Sequence, residues 1–138
     1  MKRLATLSYV VVAAVLCSFA GCKRKGADVA QVARVVDQSF KAAPAETKQV
    51  MQASVAAIKA AEGKTEVAAK RACYIDALVP VQNLVARGNL SRDQVQAARQ
   101  VFVEVNKSVQ NDRRLATKEM YQAQSAMAQA LYRAGVRP

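Results

Sequence analysis

Twenty-one Lys and Arg stand against ten Asp and Glu in a chain of 138 residues, a formal net charge of +11 with no histidine. The length supports one domain around a single core and argues against a second. Missing histidine removes the commonest general base and metal ligand, and no Cys pair, ligand-spaced carboxylate cluster, Gly-rich phosphate loop or Ser-x-x-Lys sequence replaces it, so composition argues against an enzyme, a metal site or a cofactor.

The chain opens with Lys2 and Arg3, followed by an apolar stretch over residues 4 to 20 with Thr6, Ser8, Tyr9 and Ser18 as its polar interruptions. A positive start before such a stretch is the pattern of a secretory signal peptide. At 17 residues it falls short of the roughly 20 that a spanning helix requires. It ends in Phe19-Ala20-Gly21-Cys22, directly before Lys23, Arg24 and Lys25. Ala20, Gly21 and Cys22 resemble the bacterial lipobox, usually Leu-Ala-Gly-Cys, with Phe19 in place of leucine. The resemblance covers residues 1 to 22 and implies a bacterial lipoprotein, cut before Cys22 and acylated on that cysteine. It further implies an outer-membrane, periplasm-facing location, because the aspartate that marks inner-membrane retention in such proteins is replaced here by Lys23. Ser18-Phe19-Ala20 also suits ordinary signal peptidase, which would release a soluble chain from Gly21, and an uncleaved anchor is a third reading.

Two or more acyl chains anchor stably where one binds only marginally. Lys23, Arg24 and Lys25 are candidate headgroup contacts, each contributing about 1 kcal/mol beside an anionic leaflet. A plain solvated tether over residues 22 to 27 is the alternative for that charge run.

Removing residues 1 to 21, with Lys2 and Arg3 among them, leaves 117 residues with 19 basic against 10 acidic side chains, a net +9. Such a surface favours anionic neighbours, namely phospholipid, lipopolysaccharide or cell-wall carboxylates. An exported, tethered chain meets little nucleic acid, and no dense basic stripe follows residue 25, so nucleic-acid binding is not expected. Of three cysteines, Cys17 leaves with the signal, Cys22 carries lipid, and Cys73 remains alone, which rules out an internal disulfide after processing. Cys73 reads as a small buried apolar residue, with pairing between chains as the alternative.

From there the sequence predicts helices over 28 to 138. Gly26 is a candidate hinge, and Asp28 with Gln31 resembles a capping box that opens a first helix to about residue 43, carrying Val29, Val32, Val36 and Phe40 at helical spacing. Pro44 suits the first turn of a second helix, with Val50 or Met51, Val55 and Ile58 inward and Gly63 as its stop. A third spans about 65 to 87 with Val67, Tyr74, Leu78, Val81 and Val85 on one face, and Pro80 predicts a kink or break. Ser91 and Gln94 form a capping box with Leu90 and Val95 as a hydrophobic staple, so the β-branched run at 101 to 105 reads as helix. Asn111-Asp112 marks a turn, and a last helix carries Ala116, Met120, Ala123, Met127, Ala130 and Ala134 before Gly135.

The expected fold is all-α, a small bundle of four or five helices with mostly antiparallel neighbours. The five aromatic residues after Cys22 are read as core or boundary packing. A loose likeness of residues 68 to 81 to a tetratricopeptide unit does not repeat at that family's period. The lipidated start also looks like that of the major helical lipoproteins joined to the cell wall, but Arg137-Pro138 replaces their terminal lysine. The expected function is a noncatalytic envelope lipoprotein that meets a protein partner, with direct binding of anionic envelope components as the alternative.

Overall fold

The computed structural model describes residues 25 to 138, with side chains from Val29 onward. Five α-helices follow one another: α1 (Lys25–Ser39), α2 (Ala45–Glu62), α3 (Val67–Ala86), α4 (Arg92–Asn111) and α5 (Lys118–Arg133), with a 3-10 turn (Arg113–Leu115) between the last two. The molecule is an all-α bundle, as the periodicity predicts.

Consecutive helices run antiparallel, as cross-helix pairs at matching heights show. Gln52 of α2 meets Asp37 near the end of α1, Glu46 at the start of α2 pairs with Arg87 just after α3, Tyr74 near the start of α3 meets Ser108 near the end of α4, and Gln124 of α5 meets Asn106 of α4. The exception is α3 with α5, which run parallel: Arg71 reaches the carbonyl of Arg114 ahead of α5, while Val85 and Val136 line one recess at the far ends of both helices. Helix α3 is the hub, packed on α2, α4, α5 and the 3-10 turn.

Val29, Val32, Val36 and Phe40 are all buried, so the first stripe is as expected. The helix itself starts earlier, at Lys25, which places Gly26 and Asp28 inside α1 instead of at a hinge and a cap. An interior glycine costs only about 1 kcal/mol, too little to stop a helix whose following face is held by packing. Pro44 stands just before α2 and not in its first turn, and its carbonyl accepts from Lys48.

In α2 the inward face is Met51, Ser54, Ile58 and Ala61, while Val50 and Val55 are half-buried. Ser54 can turn inward because its hydroxyl donates to the Ala77 carbonyl at 2.6 Å, which satisfies the buried oxygen. Helix α3 continues unbroken through Pro80. Pro80 and Asp76, whose carbonyl loses its usual donor, are both exposed residues, and the helix is held by buried Tyr74, Ala77, Leu78, Val81, Leu84 and Val85.

The capping box of α4 forms in both directions: the Gln94 amide donates to Ser91 Oγ at 3.3 Å and the Ser91 amide donates to Gln94 Oε1 at 3.0 Å. Residues 101 to 105 are helical, with Val101, Phe102 and Val105 buried. The expected turn at 111 to 112 is the 3-10 segment, whose Leu115 is fully buried, and Thr117 caps α5 by accepting from the Met120 amide. At the C-terminus Ala134 is exposed, correcting its placement on the inner face. Gly135, at φ +78, turns the chain so that its amide donates to Tyr132 and that of Val136 donates to Leu131. This is a Schellman closure, and it buries Val136 in place of Ala134.

Candidate functional site

Cys22, Lys23 and Arg24 lie outside the described residues, and Lys25 is the first residue of α1. Among the described residues no helix is long and apolar enough to cross a membrane. No group of three or more His, Cys, Asp or Glu among them could hold a metal ion.

Because α1, α3 and α5 point the same way, their N-termini share one end of the bundle with the 3-10 turn and the C-termini of α2 and α4. The local geometry there is tight. Asp112 caps the 3-10 turn by accepting from the Arg114 amide at 3.2 Å, and the Arg114 guanidinium returns to it through Nε at 2.9 Å and Nη2 at 2.8 Å. That bidentate pair holds the Asp112 carboxyl at about 2, below its ordinary 3.8. Arg71 reaches across from α3, donating from Nη2 to the Arg114 carbonyl at 2.9 Å, with its Nε enclosed and without a hydrogen-bond partner. Glu119 is held below the usual carboxylate range by its own backbone amide at the start of α5, and further by the Thr117 hydroxyl.

Around this frame stand Lys70, Arg71, Arg113, Arg114 and Lys118, a cation cluster that sequence reading missed. Lys70-Arg71 and Arg113-Arg114 are doublets some forty positions apart, and only the parallel packing of α3 with α5 brings them together. The doublets are the one signal in the sequence that pointed there. The opposite end is basic as well: Arg92 and Arg133 line a recess of about 440 Å³ floored by Val85, Val95 and Val136.

A second surface is the open groove between α4 and α5, about 1020 Å³ in volume, lined by Phe102, Asn106 and Val109 on one wall and Tyr121, Gln124 and Ala128 on the other. Gln124 Nε2 donates to Asn106 Oδ1 at 2.7 Å across it. Tyr121 and Tyr132 are 59% and 75% exposed, which corrects their placement in the packed boundary. Eleven residues apart on a helix of 3.6 residues per turn, they share one face of α5.

Tyr74 is buried, and burial pushes its hydroxyl above the ordinary 10, with Glu62 and Glu104 adding to the rise and the Ser108 hydrogen bond opposing it. Glu104 is buried beside Lys107 at 3.6 Å, and Cys73 is a free, half-buried thiol against the core. Comparison with protein-family models, curated proteins and solved structures finds no match to this chain. The fold and its surfaces therefore define a class, a small all-α bundle with two basic ends and an open groove.

Proposed function

We propose that this chain is a noncatalytic envelope lipoprotein: a helical bundle held on the membrane by acyl chains on Cys22, at the outer membrane facing the periplasm, and serving as a structural or protein-interaction module. The observation that carries the reading is the run Ala20-Gly21-Cys22 at the end of an apolar stretch with Lys2 and Arg3 before it. Support for a partner comes from the groove between α4 and α5, whose mixed polar and aromatic lining and exposed Tyr121 suit a protein contact more than a small ligand.

Intact mass and membrane fractionation of the expressed protein, beside a Cys22→Ala variant, test it. The expected result is an acylated chain beginning at Cys22 and retained in membranes, with retention lost in the variant. A soluble, unmodified chain beginning at Gly21 overturns the reading.

The gathered cations favour a second reading, direct binding of lipopolysaccharide, anionic lipid or peptidoglycan through surface Lys and Arg. Charge-driven binding falls steeply as salt rises, whereas a packed protein interface changes little.

A further inference from the structure

We infer that the end of the bundle carrying Lys70, Arg71, Arg113, Arg114 and Lys118 is its membrane-docking face, seated on the anionic lipid headgroups beside the anchor. The inference rests on the Cys22 reading above and specifies which surface of the folded domain meets the bilayer.

Lys25, the first residue of α1, follows Cys22 by three positions, and three residues span at most about 10 Å. An acylated Cys22 therefore holds the start of α1 within about 10 Å of the anchored cysteine, comparable to a Debye length of roughly 8–10 Å, so that attraction to the headgroups is only partly screened. The polarity of the bundle then decides what else stands at that height. The end of α1 touches the start of α4, since Gln94 Nε2 donates to the Ser39 carbonyl, and α4 is antiparallel to both α3 and α5. The N-termini of α3 and α5, with their cations, are thus on the anchor side.

Charge alone does not choose this end, because Lys41, Arg92 and Arg133 make the opposite end basic too; the direction of α1 does. Within the anchor-side end, charge chooses the flank. Exposed Glu62 and Glu66 outnumber Lys64 at the connection from α2 to α3, whereas beside the 3-10 turn the five cations Lys70, Arg71, Arg113, Arg114 and Lys118 stand against two carboxylates, Asp112 and Glu119. Exposed Arg113 and Lys118 with half-buried Lys70 then form a net positive face. Each such cation at an anionic surface strengthens partitioning about fivefold.

Lysine footprinting on the intact protein tests this. Purified protein, its acylation state read first by mass, is bound to vesicles of phosphatidylglycerol and phosphatidylcholine or of phosphatidylcholine alone, then treated with a water-soluble amine-acylating reagent. On anionic vesicles the modification of Lys70 and Lys118 is expected to slow about tenfold and to recover in high salt, while Lys41 and Lys48 at the far end stay unchanged. An Arg113→Gln/Lys118→Gln variant is expected to lose the protection at Lys70. Protection at Lys41 and Lys48 instead, or equal reactivity at both ends on acylated protein, overturns the docking face and leaves the lipoprotein reading intact. If Cys22 carries no acyl chain, the lipoprotein reading fails by itself; salt-sensitive protection of Lys70 and Lys118 on anionic vesicles then upholds the face, and its absence sinks it too.

Discussion

Replacing Ser91 by alanine leaves the Gln94 amide without its acceptor and frees the Gln94 side chain that returns to the Ser91 amide. The expected loss is about 1 kcal/mol of stability, read as a lower urea midpoint with an unchanged slope. Leu115 is a different case, since its side chain is fully buried at the turn on which the cation cluster is built. Leu115→Ala is expected to cost about 2–5 kcal/mol in thermal or urea unfolding, and a cost below 1 kcal/mol would mean that the 3-10 turn is not packed as described. Asp112 gives a pH signature. Its folded-state value of about 2 lies below the ordinary 3.8, so its contribution is present above about 3.8 and is lost as pH falls toward 2. An Asp112→Asn variant should therefore lose less stability than the parent over that interval, and parallel acid-unfolding curves would contradict the Arg114 pairing.

Helix α3 carries the largest local conflict between sequence and fold. Pro80 removes one backbone hydrogen bond from the middle of a helix that still runs unbroken from Val67 to Ala86. Packing wins because the apolar face on both sides of the proline is buried against α2, α4 and α5, and Ser54 ties α2 to the carbonyl of Ala77. Since Pro80 is exposed, Pro80→Ala should restore the missing donor and stabilise the protein by roughly 1–3 kcal/mol. A lower melting temperature would show instead that α2 and α3 fit together only with the proline in place. On α5 the opposite holds: Tyr121 and Tyr132 face solvent, and alanine at either is expected to shift stability by no more than about 0.5 kcal/mol. A cost above 1 kcal/mol at either would show that the tyrosine is packed instead of exposed.

One apolar core links every described helix, from Val29 in α1 to Val136 after α5, so the bundle is expected to unfold as a unit. Far-ultraviolet dichroism and tyrosine fluorescence should trace coincident transitions; separate midpoints would mean that α1 or α5 melts alone. Much of this core was legible along the chain: Met120, Ala123, Met127 and Ala130 are buried as read, and Val95, Ala98, Phe102, Val105 and Val109 repeat at helical spacing and are buried too. The capped start of α4 was equally legible, because Ser91 and Gln94 act over three residues. Four features were not. The 3-10 turn is anchored by Leu115, whose burial depends on its neighbours in space. Ser54 takes an inward place over Val55 because a carbonyl of another helix receives its hydroxyl. The start of α1 runs back past Gly26 because packing further on outweighs a weak local breaker. The cation cluster assembles only when α3 and α5 pack side by side in the same direction. Local chemistry and period thus determine which segments become helices and which faces are apolar. The order of helices around α3, and with it which charges share an end, is set by long-range packing between residues that the chain holds far apart.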